Sequence, residues 1–260
     1  MPINSLTNSI KTYWRQRIIN RYPIPPAQWQ QVIEQLPILH GLTLGELNRL
    51  RNLSTLFLHY KSIYGVQDLS VTEEMRLVVA AQASLLILYL DLDNYQGWRA
   101  VILYPGIFII EREEIDETGI VHSGQRPLIG ESWSAGPVIL SWDDVARTMA
   151  PYEQRGNVVI HEFAHKLDLG NGAANGMPPL HRTMDRHTWT AVFSEAYKSL
   201  NESWAAGEPI SLDPYALESP AEFFAVASEA FFVSPQKLRT ELPRIYQQLQ
   251  LYYHQDPASR

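Results

Sequence analysis

The chain of 260 residues contains no cysteine, which excludes disulfides, thiol switches and thiolate metal ligands together. It also lacks a hydrophobic run long enough to cross a bilayer. The most apolar stretch, residues 77–90, has Gln82 and Ser84 inside it and falls short of the roughly twenty residues a span needs, so it reads as a buried helix. There is no cationic excess: 21 Lys and Arg stand against 28 Asp and Glu, for a net charge of -7. Nothing in that balance favours nucleic acid as a partner. Lys11, Arg15, Arg17 and Arg21 are interleaved with apolar residues and read as a solvated helix face. Residues 1–20 show no continuous apolar segment followed by a small-residue cleavage site, so the expected compartment is the cytoplasm, with no membrane partner.

What the chain does have is His161-Glu162-Phe163-Ala164-His165, two histidines four residues apart around a glutamate. One turn of 3.6 residues brings i and i+4 onto one helix face, where both imidazoles can reach a single ion and the glutamate a water beside it. Chance alone would place this motif in about one chain in a hundred of this length, so the flanks matter. Ile160, Phe163, Ala164 and Leu167 form a core stripe, with His161, His165 and Asp168 on the adjacent face. Gly156-Asn157 reads as the helix start and Gly170-Asn171-Gly172 as its stop. The chemistry suggested is metal-assisted hydrolysis.

Catalytic zinc usually takes three protein ligands and keeps a fourth position for water. The third must be His, Glu or Asp. Asp168 and Asn171 occupy the places where the longer metzincin pattern needs its glycine and third histidine, which argues against that arrangement. The best-signalled candidate helix opens at Ser219-Pro220-Ala221-Glu222, with Ser219 as N-cap and Pro220 first inside. Phe223, Ala227, Ala230 and Phe231 make its buried stripe, and Glu222 and Glu229 share one flank. Glu222 is open to two readings, a ligand or a capping-box glutamate bonding back to the Ser219 amide; Glu229 reads as a solvated charge.

Three segments, HEFAHKLD (161–168), GPVILSWDDV (136–145) and DPYALESPAEFF (213–224), resemble the Mlc titration factor A family of zinc metallopeptidases. The likeness is densest over residues 128–232. It implies a cytoplasmic protein with a gluzincin-like site, aminopeptidase activity and, in enteric bacteria, binding to the glucose repressor Mlc. Position by position, it implies one zinc held by His161, His165 and Glu222, with Glu162 as catalytic glutamate and Tyr215 as a tyrosine acting at the site. Glu162 would then serve as general base toward a zinc-activated water and pass the proton to the leaving amine, while Tyr215 donates to the developing oxyanion. A core tyrosine remains the other reading of Tyr215. Asp168 is expected either to orient His165 or to be an ordinary polar residue at the helix end. His181 and His187 read as surface or core histidines more readily than as site residues.

The expected fold is α+β: a gluzincin-like zincin core with a small mixed β-sheet, between mostly helical N- and C-terminal parts. A single domain covers 1–260, with a helical part to about 95 and the zincin core over 96–254. Helices are expected at 27–34, from the Thr43-Leu44-Gly45-Glu46 cap to about 60, after a Ser70-Val71-Thr72-Glu73 capping box, at 186–205, and at 235–253 after Ser234. Residues 101–104 and 107–110, joined through Pro105-Gly106, read as a hairpin or consecutive strands of one sheet, and 138–142 as a strand, either in the core or at an edge where a peptide substrate could add. Residues 170–179 form a loop, and 255–260 are expected to fray.

Overall fold

The computed structural model describes residues 3–106, 109–115, 121–127, 136–150 and 156–260, with the backbone alone for 3–8, 109–115 and 121–127. Helix α1 (Ile3–Arg21) ends before Pro23-Ile24-Pro25, and α2 (Pro26–Gln35) starts with proline in its first turn, where the missing N–H costs nothing. The expected capping box opens α3 (Leu44–Tyr60): Thr43 Oγ1 accepts from the Glu46 N–H, and the Glu46 carboxylate accepts from the Thr43 N–H. A short strand not foreseen from the sequence, β1 (Ser62–Gly65), follows directly.

Helix α4 (Glu73–Leu86) is buried along nearly its whole length, as residues 77–90 suggested. Its cap is shifted from the expectation: Thr72, not Ser70, is the N-cap, and the reciprocal partner at the third position is the Met75 sulfur instead of a carboxylate. Strands β2 (Ala100–Tyr104), β3 (Ile109–Ile115), β4 (Val121–Pro127) and β5 (Val138–Ser141) come next.

The sheet is not mixed. Strands β1, β2 and β5 form a three-stranded parallel sheet in the order β1-β2-β5, with Ile63 opposite Val101 and Leu103 opposite Leu140. Residues 109–115 pair antiparallel with 121–127 in a separate two-stranded sheet, so 101–104 and 109–110 form neither a hairpin nor consecutive strands of one sheet; Ile107 and Phe108 lie outside the described residues. Strand β1 comes from the part read as helical and pairs with β2 from the part read as core.

Beyond β5 the chain is helical: α5 (Trp142–Arg147), α6 (Val158–Asp168), α7 (Arg186–Ala205), α8 (Pro220–Val233), α9 (Pro235–Glu241) and α10 (Pro243–Tyr253). The last two replace the single helix expected over 235–253, since Pro243 cannot supply the N–H that would carry α9 onward. Residues 255–260 are seated, not frayed. Gln255 donates to Leu85 O, Pro257 and Ala258 are buried, and the Arg260 guanidinium meets Glu46. Lys11 and Arg15 are likewise tied down, by Asp93 and by Asp91 with Asp93 respectively, rather than simply solvated.

One contiguous cluster of buried side chains runs from Ile24 to Ala258. Helix α6 crosses its middle, packed against α4, α8 and β5. Its inner face is Ile160, Phe163, Ala164 and Leu167, all buried as the periodicity requires. Phe163 meets the rings of Phe57, Tyr95 and Trp98 at centroid distances of 5.6, 5.2 and 5.6 Å. This aromatic wall fixes the rotation of α6 and hence where its other face points.

Candidate metal centre

Helix α6 begins at Asn157, whose Oδ1 accepts from the Ile160 N–H, and a 3-10 turn over Leu169–Asn171 closes it at Gly172, where φ is +95°. Between these ends, His161 and His165 share the face turned toward α8. Ser219 caps α8 through the Glu222 N–H, with Pro220 in the first turn, and this puts Glu222 at the third helical position opposite the histidines. Glu222 Oε2 lies 3.0 Å from His161 Nε2 and 3.2 Å from His165 Nε2, and the two Nε2 atoms are 3.1 Å apart. The Glu222 carboxylate is therefore committed to the histidines, and the capping box is made in one direction only.

Among the described residues this is the one His/Asp/Glu group able to hold a metal. The donor set fits zinc in both chemistry and spacing. Ligand atoms about 2.0–2.2 Å from a tetrahedral ion are roughly 3.3–3.5 Å from one another, close to the separations found here. Charge fits too. Burial would depress His161, but the Glu229 charge and its hydrogen bonds with Glu222 and Glu229 outweigh burial and hold it well above its ordinary pKa. Burial would raise Glu222, yet its histidine partners bring it down to about 2.

Glu162 is 2 % exposed, and its Oε2 has no hydrogen-bond partner. Burial is the main reason its pKa is raised, with the Glu222 charge adding and His161, His165 and Lys166 opposing. Tyr215 sits on a 3-10 turn, Pro214–Leu217, started by Asp213, whose Oδ1 accepts from the Tyr215 N–H. The Tyr197 hydroxyl donates to Leu217 O and fastens the far end of that turn. Tyr215 is 44 % exposed and its ring centroid lies 5.9 Å from that of His161, so it is not a core tyrosine.

Asp168, the last residue of α6, takes the second of its two sequence readings, and Glu229 departs from its one. Asp168 does not orient His165; its Oδ2 accepts from the Gly176 N–H, pinning the loop after α6, and burial raises its pKa to about 6. Glu229 is not solvated: Oε1 is 2.6 Å from His161 Nδ1 and Oε2 accepts from the Asn157 N–H at 2.5 Å. Its shared flank with Glu222 was visible in the sequence, but the partner across the helix pair was not. His181 lies against the Tyr252 carbonyl and His254, and His187 is exposed at the start of α7; neither joins the group.

A profile of the family described as glucose-regulated metallo-peptidase M90 matches residues 10–254. Mlc titration factor A of Pectobacterium atrosepticum is 37% identical over 236 residues, covering 89% of this chain and 87% of its own. Mlc titration factor A of Serratia proteamaculans is 37% identical over 238 residues, 90% of this chain and 89% of its own. An uncharacterized protein of Synechocystis sp. is 35% identical over 246 residues, 94% of this chain and 89% of its own. With a match of this extent, the chain belongs to the M90 family of metallo-peptidases, the family of Mlc titration factor A.

Proposed function

We propose that the protein is a cytoplasmic, single-domain zinc metallopeptidase with a gluzincin-like core that hydrolyses peptide bonds in the manner of an aminopeptidase. The observation that carries this reading is the convergence of His161 Nε2, His165 Nε2 and Glu222 Oε2 beside a buried, unpartnered Glu162 oxygen. His161, His165 and Glu222 hold the ion. When bound, zinc supplies Lewis acidity, polarising the scissile carbonyl and lowering the pKa of water toward neutrality.

The remaining chemistry belongs to side chains. Glu162 accepts a proton at its free carboxylate oxygen and returns it to the departing amine; a raised pKa suits a group that must hold that proton between the two steps. Tyr215, at the exposed rim, donates its phenolic O–H to the carbonyl oxygen as negative charge builds there. Strand β5 is last in the order β1-β2-β5 and packs against α6, which favours an extended peptide lying along it with main-chain hydrogen bonds.

Turnover of amino-acid anilides by the zinc-loaded protein tests the reading. Glu162→Gln should lower it by about 10²–10⁴-fold while zinc stays bound; a zinc-loaded wild type that cleaves neither anilides nor a mixed peptide library would overturn it. The name of two of the relatives, Mlc titration factor A, favours a second reading, in which the protein sequesters a transcriptional repressor and hydrolysis is secondary. A cellular effect that survives Glu162→Gln would select that second reading.

A further inference from the structure

We infer that Glu229 is a positioning residue of the metal centre: it fixes His161 as the tautomer protonated at Nδ1 and clamps the start of α6 to α8. The inference rests on the metal-site reading above and deepens it.

Both carboxylate oxygens are engaged in different tasks. Oε1 faces His161 Nδ1 at 2.6 Å, and because an ionised carboxylate only accepts, Nδ1 carries a proton and Nε2 is the ring nitrogen that gives up its own proton when an ion binds. Oε2 accepts from the Asn157 N–H. Asn157 is held in turn at its side chain, with Oδ1 accepting from the Ile160 N–H and Nδ2 donating at 2.6 Å to Oε1 of Gln82, a fully buried residue of α4. The chain Gln82, Asn157, Glu229, His161 therefore ties the first ligand histidine to three helices by hydrogen bonds.

The backbone makes room for this acid. A Cβ on Gly156 would lie 2.2 Å from Glu229 Oε2, closer than any real contact, and its next neighbours are other atoms of the same carboxylate. No left-handed φ demands glycine at 156, so the cost of a methyl group there falls on the seat of Glu229. Position 156 thereby offers a way to disturb Glu229 without altering any ionisable residue.

The test is a zinc titration of the full chain against a chromophoric chelator, with Glu229→Gln, Gly156→Ala and Glu222→Ala beside wild type. Glutamine offers only one acceptor to two donors, so Glu229→Gln should bind zinc about 10–100-fold more weakly. Gly156→Ala should weaken binding in the same direction, and Glu222→Ala should lose it. Long-range 1H–15N spectra of the zinc-loaded wild type should show His161 protonated at Nδ1 with a downfield proton that Glu229→Gln removes, a signature that a merely structural residue would not give. A wild type that binds zinc, with Glu229→Gln and Gly156→Ala both within twofold of it, would overturn the inference alone. A wild type that binds no zinc would overturn the metal-site reading itself.

Discussion

Lys61 should make the protein more stable as the medium turns alkaline. Its side chain is 7 % exposed and lies at the C-terminal cap of α3, where Nζ donates to Tyr95 O and, at 2.6 Å, to Trp98 O, 3.8 Å from the Trp98 ring centroid. Burial, with lesser contributions from Lys166 and Arg99, lowers its pKa from 10.5 to about 8. The unfolded chain therefore binds more protons than the folded one between these values, and stability rises with pH across that window. A shift of this size corresponds to about 3 kcal/mol, reduced to about 2 kcal/mol because part of the ammonium's field reaches solvent. Urea unfolding of wild type and Lys61→Met at pH 7.5, 8.5 and 9.5 isolates the effect. The methionine leaves two carbonyls without their donor, a roughly constant cost of about 1–3 kcal/mol. On top of it, wild type should gain about 1–2 kcal/mol relative to the variant from pH 7.5 to 9.5. Above about pH 10 both proteins should lose stability together, since buried Tyr95, Tyr252 and Tyr253 have raised pKa values and resist the ionisation that the unfolded chain allows. Parallel curves for the two proteins would refute the reasoning, because they would mean that the carbonyls and the Trp98 face solvate the ammonium as well as water does.

Phe163→Ala should cost about 3–5 kcal/mol in urea unfolding, since it empties the centre of the Phe57, Tyr95 and Trp98 cluster, and it should weaken the near-ultraviolet circular dichroism; a loss below 1 kcal/mol would contradict the buried orientation of that face. Chelator treatment should lower the melting temperature: zinc at a hundredfold above its Kd adds about 2.7 kcal/mol, or roughly 5–10 °C for a chain of this size, and an unchanged melt would count against a resident ion. Deleting residues 255–260 should cost on the order of 2–3 kcal/mol through the Gln255 to Leu85 bond, the Arg260 to Glu46 pair and the burial of Ala258. A truncated chain that melts with the full one would restore the expectation of a frayed end.

The sequence was most legible where local rules agree. Around α6, the cap at Asn157, the stripe from Ile160 to Leu167 and the stop at Gly172 all pointed to one helix, and the two histidines followed from its period. Ser219 and Pro220 announced α8 just as plainly, and with it the position of Glu222. What the sequence withheld was the meeting of the two helices. Glu222 and Glu229 lie on one flank, and the family resemblance pointed to Glu222 as the ligand, but that Glu229 meets Nδ1 instead of solvent depends on how α8 packs on α6. The same limit explains Asp168, one turn past His165, whose partner is a loop amide eight residues ahead. Short strands fared worst. Ser62–Gly65 has four residues and no turn signal of its own, and its pairing with Ala100–Tyr104 is a contact between distant parts of the chain. The antiparallel pair of β3 and β4 falls between β2 and β5 in the chain, an order that no adjacent-strand rule anticipates.

The most direct measurement of the central claim is the metal content of protein purified without chelators, with Glu222→Ala purified alongside. The account predicts about one zinc per wild-type chain and markedly less in the variant. Protein without zinc, or a zinc content that does not depend on Glu222, would contradict it.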